Sequence, residues 1–596
     1  MPFVYSIKSW LIPALFVLAT SFCVTANPSL TPANTTQWQL LLHSYQGQAQ
    51  ITDPDFLLSA GNFSPEAEMA KTLELFRQDP QLAFCRFPAR ITFLAEKLNL
   101  PLAEDRFERC PQLENFIKHV PFEKIELVYA SEVTSSATSM LGHIFIKVSG
   151  TNSKGNAVAH SLAYFTEITT LNPAKLIVES TMTGMPGFFS VRPFAADLKQ
   201  YRDIEQRNLW QFNLSADAQN KRLLQLHIWE LHQVELTYYF QSFNCATLTL
   251  EMLALLKPEI LQDRRPIVSP IDVVKAATNQ QMVQSTIIDA ASPWLFYAMA
   301  DTLPSQIKAQ LDEISSLNEF SAAENALTHP LAARYLDMRL EQSVSQLKMS
   351  PQQAENIRSR MRLDTDQTLD LSHYKHPART PQDAAFSASL LQDANGSALV
   401  VDFLPAGHLL QGDNRQYLTE SELQIAKISV AINDKGTALQ LREFTLYSAI
   451  SLAPDSAAFP VWSGEFYLGF RPGWRQDLSR WSTGELSGGF GKSYRLHKDV
   501  TVFGLAGAGM ATNLADSLGF IYVKSGMLFT LAADTKLQLQ YMAHSGKASE
   551  PSRFQQMSAA LSWFPEQNQA FALHFNHVQI LGRQSNAVGF EYSNYF

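Results

Sequence analysis

Ala587-Val588-Gly589-Phe590-Glu591-Tyr592-Ser593-Asn594-Tyr595-Phe596 ends the chain with large apolar side chains at alternate positions, Val588, Phe590, Tyr592 and Phe596, set against Glu591 and Ser593. A period of two marks a strand with one apolar face. The same period appears upstream. Met557, Ala559, Leu561 and Trp563 alternate with Gln556, Ser558 and Ser562, and Leu537, Leu539, Tyr541 and Ala543 alternate with Lys536, Gln538 and Gln540. From about residue 384 onward, segments of this kind succeed one another between turns rich in Gly, Asp, Asn, Ser and Pro. The pattern predicts an antiparallel transmembrane β-barrel of about 12 strands, apolar outward and polar inward, closed because no backbone edge can face lipid. Trp462, Trp474, Trp481 and Trp563 stand near segment ends, where interfacial girdles form.

A soluble β-sandwich would alternate in the same way, and the two ends of the chain weigh against it. Residues 1–26 carry Lys8, an apolar core from Trp10 to Val24 interrupted by Pro13, and the small-residue ending Val24-Thr25-Ala26. That is the plan of a cleavable secretory signal peptide and is too short for a membrane anchor. Thr20-Ser21-Phe22 before Cys23 is a poor match to a lipidation motif. At the other end, the aromatic Phe596 resembles the terminal signal read by the barrel assembly machinery. The expected location is the Gram-negative outer membrane, with outer-membrane lipids and that machinery as partners.

The chain beyond residue 26 is too long for one hydrophobic core. With 46% hydrophobic and 17% charged residues it is not disordered, and at a net charge of −9 without a Lys/Arg cluster it is no partner for nucleic acid. Three cysteines remain, Cys85, Cys110 and Cys245, so in an oxidising compartment one is unpaired. Cys85 and Cys110 lie close together in sequence and are the expected disulfide, which leaves Cys245 as the free thiol.

Residues 27–122 read as helices and loops. Short apolar runs then predict strands: Ile125 to Tyr129, His143 to Val148, and Val158 to Phe165, the last two joined by a Gly/Ser/Asn-rich loop over 149–156. A helix is expected over 216–236, and another starts at Asn244-Cys245 and stops at Lys257-Pro258. Cys245 therefore sits in the first turn of a helix, with Asn244 and Ser242 as available caps. There the unpaired N–H groups and the helix dipole lower a thiol pKa and can hold an oxyanion. His143 opens its strand after Ser139-Met140-Leu141-Gly142. Pairing Val148 with Ala157 would put His160 on the same sheet face, able to orient His143. His227 and His232 are five apart with Glu230 between them, which misses the i, i+4 spacing of a zinc helix; a solvated helix face is the expectation, with no metal and no cofactor.

Ser139-Met140-Leu141-Gly142-His143-Ile144-Phe145, Tyr238-Tyr239-Phe240 and Asn244-Cys245-Ala246-Thr247 together resemble the Lnb-type periplasmic domain, named for bacterial lipoprotein N-acyltransferases and related to permuted papain-like enzymes of the NlpC type. The resemblance covers about residues 120 to 260. Cys85-Arg86-Phe87-Pro88-Ala89-Arg90 looks like the N-terminal extension of longer members that carry a C-terminal barrel. It implies a thioester mechanism: Cys245 attacks an ester or amide carbonyl, His143 takes and returns the proton, and a second nucleophile collects the acyl group. His160 aligns with the third polar residue of the permuted branch, and Ser139 is its rival for that role.

The resulting expectation is a multidomain α+β chain: signal peptide 1–26, a mainly helical region 27–122, a permuted papain-like Cys/His domain 123–260, a helical connector 261–382 and the barrel 383–596. Its expected function is acyl transfer or acyl hydrolysis on a lipoprotein or phospholipid substrate. A cysteine peptidase or amidase acting on peptidoglycan or protein is the alternative enzyme, and a non-enzymatic barrel with a binding domain is the third reading.

Overall fold

The computed structural model describes residues 32–132, 142–167, 175, 178–232, 234–323, 327–361, 369, 374–393, 396–433, 439–478, 480–513, 517–546 and 553–596. The expected signal peptide and Ser139 lie outside them.

The N-terminal region is helical, as its sequence predicts: α1 (Thr36–Leu41), α2 (Pro65–Gln78), α3 (Pro80–Arg86), α4 (Pro88–Leu98) and α5 (Pro111–His119), with a small hairpin of β1 (Ser44–Tyr45) and β2 (Gln48–Ala49). From α2 onward each of these helices opens on a proline, whose missing N–H would have no intrahelical acceptor there. Ser64 and Asp79 cap α2 and α3 by accepting from Ala67 N and Leu82 N. Cys85 and Cys110 are bonded, with Cα atoms 5.4 Å apart.

A seven-stranded antiparallel sheet comes next: β3 (Lys124–Ala130), β4 (His143–Thr151), β5 (Ala157–Thr166), β6 (Met185–Pro193), β7 (Leu209–Leu214), β8 (Leu236–Tyr238) and β9 (Val283–Asp289), in the spatial order β8-β6-β5-β4-β3-β7-β9. Three further helices pack with it: α6 (Phe194–Leu198), α7 (Ala218–Glu230) and α8 (Cys245–Leu256). Tyr129, Ile144, Ile146, Val148, Leu162 and Tyr164 share one core with α1, α4, α7 and α8. Val128, Phe145, Ala163 and Leu209 pack on the opposite face with Phe194 of α6. This domain runs past 260. Val273 and Val274 of α9 (Pro270–Asn279) lie in the first core, and β9 pairs with β7. The expected purely helical connector over 261–382 thus donates a helix and an edge strand to the sheet domain.

Helices α10 (Ser292–Thr302), α11 (Ser305–Glu313), α12 (Leu317–Ala322), α13 (Ala332–Ser345) and α14 (Pro351–Arg358) form a second core around Phe296, Leu311, Phe320 and Tyr335. Ala458 and Phe459, from a barrel loop, complete this core, and Tyr297 Oη donates to Pro454 O over 2.7 Å. The connector is therefore docked on the barrel rim.

The barrel comprises β10 (Ala385–Asp393), β11 (Gly396–Leu404), the short β12 (Ala406–His408), β13 (Glu420–Asn433), β14 (Gln440–Leu452), β15 (Ser463–Trp474), β16 (Arg480–His497), β17 (Val500–Thr512), β18 (Ser517–Ala532), β19 (Thr535–His544), β20 (Phe554–Glu566), β21 (Gln569–Ile580) and β22 (Arg583–Tyr595). Neighbours pair antiparallel, β10 pairs with β22, and β11 with β13. The ring closes on 12 long strands, with β12 lying along part of β13. Leu390, Phe470, Phe490, Ile521 and Phe590 are exposed on its outside, whereas Ser387, Ser429, Thr445, Thr483 and Ser593 are buried. Ion pairs such as Arg471–Glu485, Lys524–Glu465 and Lys536–Glu420 join its polar side chains. Trp462 and Trp563 are exposed at the rim nearest the other domains.

Closing a loop of 25 residues, the Cys85–Cys110 bond is worth about 3 kcal/mol through the unfolded chain. Cys110→Ala should lower the urea midpoint of the periplasmic part in the full-length protein by a corresponding amount, and an unchanged midpoint would contradict this.

Candidate active site

Cys245 opens α8. The Asn244 Oδ1 accepts from Ala246 N and Thr247 N, each at 2.9 Å, and its Nδ2 donates to Phe240 O at 2.8 Å and Val268 O at 3.1 Å. Asn244 thus caps the helix and fixes the approach to it at once. Ser242, the other expected cap, takes no part, because helix φ/ψ begins after Asn244.

Pairing between β4 and β5 stops at Ile146↔Leu162. Beyond it the Ile144 backbone, the Tyr238 hydroxyl and the N–H groups at the start of α8 act on the Cys245 thiol in the direction that lowers its pKa. Burial nevertheless outweighs these donors and pushes the thiol pKa up. Tyr164 stands over the site, 5.3 Å from the Tyr238 ring and 5.6 Å from Phe243, with a buried hydroxyl that has no partner among the described residues. Gly187 makes room for it, since a Cβ there would lie 2.7 Å from that hydroxyl.

The structure does not bring His143 to the thiol. Side chains alternate along β4, so Ile144 faces α8 while His143 and Phe145 face the other way. The His143 ring lies 5.8 Å from that of Tyr201, and its Nε2 is buried without a partner among the described residues. Burial, with Arg207 and Arg192 nearby, pushes its pKa down to about 3. It is a neutral packed imidazole. His160 is displaced for a related reason. Both strands extend further into the hairpin than expected, Val148 pairs with His160 instead of Ala157, and Thr151 pairs with Ala157. The register differs by three, an odd number, which moves His160 to the face opposite His143. His160 shares the face of Cys245 but lies four residues along the strand from Ile144, where burial and His119 lower its pKa.

A second polar group escaped sequence reasoning. His43 Nδ1 is 2.7 Å from Glu251 Oε2, and its Nε2 is 3.0 Å from His227 Nε2, so the two Nε2 atoms share one proton. His227 is fully buried and its pKa is pushed down to about 4, mainly by burial; the expected solvated helix face is wrong for it, although His232 is exposed. Arg90, also fully buried, lies 3.1 Å from both Glu68 and Glu230, and Glu230 accepts from Ala89 N and Arg90 N. This clamp joins the N-terminal helices to α7. A local sequence signal existed in Cys85-Arg86-Phe87-Pro88-Ala89-Arg90, but its acidic partners lie far away in the chain. Among the described residues no three His, Cys, Asp or Glu converge as a metal site would require.

Residues 112–280 match the family model of the Lnb N-terminal periplasmic domain. The chain carries this domain. Residues 375–595 match a model described as domain of unknown function DUF7840, and residues 31–97 one described as DUF7843. No curated protein matches the chain. Among solved structures the barrel is similar to the KdgM porin (11% identity, 36% of this chain and 99% of that one, TM-score 0.23) and the NanC porin (6%, 35% and 99%, 0.24). It is also similar to the outer membrane channel DcaP of Acinetobacter baumannii (10%, 36% and 96%, 0.20). At such values it is the closed register of this chain's own strands that establishes the barrel. An Lnb periplasmic domain followed by a closed barrel with an apolar exterior makes this an outer-membrane protein with a periplasmic thiol domain.

Because the thiol pKa is raised, the thiolate fraction grows with pH, and iodoacetamide labelling of Cys245 should accelerate about tenfold per unit from pH 7 to pH 9. His143→Ala should leave that profile unchanged; a profile that flattens near neutral pH, or collapses in the variant, would put the histidine back on the thiol. Arg90→Met leaves Glu68 and Glu230 buried without their cation and should destabilise the periplasmic part by about 3–5 kcal/mol in urea unfolding.

Proposed function

We propose that Cys245 is the acyl-accepting nucleophile of an envelope acyltransferase or acyl hydrolase. The observation that supports this most is a free thiol in the first turn of a helix capped by Asn244, with the Ile144 backbone and the Tyr238 hydroxyl acting to lower its pKa. Such donors stabilise the thiolate once formed and, after attack, the oxyanion beside it. The sulfur bonds to the carbonyl carbon of an ester, the C–O bond breaks, and the departing alcohol takes up the proton the thiol loses. Water or an amine then attacks the thioester, regenerating the thiol and giving a free acid or an amide. The barrel holds this domain beside the inner leaflet, where phospholipids and lipoproteins present acyl esters.

A second reading, in which the domain binds without catalysis, is favoured by a thiol that burial keeps protonated and by a histidine turned to the far face of the sheet. The full-length protein in a non-ester detergent, incubated with phosphatidylethanolamine and digested, separates the two. Acyl transfer predicts a hydroxylamine-labile acyl mass on the Cys245 peptide, absent from Cys245→Ala. Unmodified Cys245 and no lysophospholipid would sink the proposal, and release of amino groups from peptidoglycan without lipid turnover would transfer it to an amidase.

A further inference from the structure

A cavity of about 450 Å³ lies where the sheet domain, the α10–α14 layer and the barrel rim meet, well within the roughly 300–1,000 Å³ of small-ligand sites. Ser131, Glu132 and Asn208 line it from the sheet domain, Gln342 from α13 and Gln346 from just past its end, and Thr419, Ser421 and Ser451 from the barrel. Its apolar walls are aromatic: Trp294, Tyr297, Tyr417, Phe459 and Trp462. Two buried polar atoms of the wall, Trp294 Nε1 and Gln416 Oε1, have no hydrogen-bond partner among the described residues. Buried donors and acceptors left unpaired by the protein are rare and call for a partner from outside it. Trp294 is only 2% exposed, whereas Trp462 is 64% exposed at the mouth.

The lining selects the ligand class. No Lys or Arg is among the lining residues described, and Lys492, whose ammonium lies 4.5 Å over one face of the Trp462 ring at the mouth, is held by Asp455 and Val461 O, so a phosphate or a free carboxylate meets no uncompensated cation there. Glutamines, serines and threonines interrupt the walls, which suits an acyl chain poorly. Flat aromatic faces beside neutral amides are what a sugar requires, since a pyranose ring stacks through its C–H face and bonds through its hydroxyls at the edge. Glu132 fits as well: burial and Asp383 push its pKa up to about 7, so the carboxyl can both donate and accept. We propose that this cavity binds a short neutral saccharide of amino-sugar type, with Trp462 as the stacking platform and Trp294 Nε1 and Gln416 Oε1 as hydrogen-bonding partners. In the periplasm the polymer of that chemistry is the glycan strand of the cell wall, and binding it would tether the thiol domain between membrane and wall. The site is separate from Cys245, and the inference does not rest on the proposed acyl chemistry.

Calorimetric titration of the full-length protein in a detergent without sugar headgroups, with N,N′-diacetylchitobiose as the probe, tests this. Saturable binding is expected. Trp294→Phe, which keeps a ring and removes one N–H, should weaken it about 5- to 10-fold, the value of one hydrogen bond. Trp462→Ala should weaken it by at least as much. Each variant is checked for retained barrel folding by heat-modifiable gel migration. Absence of binding, unchanged affinity in both folded variants, or displacement of the sugar by dihexanoylphosphatidylglycerol would overturn the assignment, the last in favour of a lipid site. None of these outcomes depends on whether Cys245 becomes acylated.

Discussion

The backbone pairing of β11 with β13 is the constraint on which the architecture depends. In hydrocarbon an unpaired N–H or C=O costs several kcal/mol, so a sheet of twelve long strands is tenable there only if its two edges meet. Once they meet, the rim is a rigid frame. The loop carrying Pro454, Ala458 and Phe459 becomes a fixed surface on which the α10–α14 layer completes its core. The sheet domain is held against the same rim, where Glu132 meets Tyr417.

Inside the periplasmic part, buried charge takes over from backbone pairing as the organiser. Arg90 lies between Glu68 and Glu230, with its guanidinium 4.2 Å from the Phe56 ring centroid and 4.6 Å from that of Phe87. Such an ion pair adds little net stability over an apolar replacement, but it tolerates no missing member. Its effect is registration: it sets the N-terminal helices against α7. The His43–Glu251 contact does the same for the segment just after α1, fixing it against α8, the helix that presents Cys245. The thiol is thus positioned from two sides, by Asn244 at the cap and by His43 further along the helix.

Much of the fold was legible in the sequence because it rests on periods and on local chemistry. Alternation in 536–543, 556–563 and 588–596 gives barrel strands whatever their neighbours are. Asn244-Cys245 followed by an apolar run gives a helix start, and an odd cysteine number gives a free thiol. The site was legible only in part. Asn244 was expected at the cap and is there, but the placing of His143 and His160 turned on a hairpin register that composition could not fix. The Gly/Ser/Asn loop allowed the strands to end anywhere from 148 to 151, and three residues of difference reversed the facing of one histidine relative to the other.

The sequence by itself determined the barrel with its approximate strand number and the place of an unpaired cysteine at the start of a helix. These depend on interactions within a few residues or on a repeated period. Only the tertiary structure decided which groups surround the sulfur, that Val283–Asp289 is a sheet edge rather than part of a connector, that His227 is buried, and that an aromatic cavity forms between three domains. Each of these depends on residues from distant segments meeting across a face, and a face is chosen by register and packing, not by local sequence.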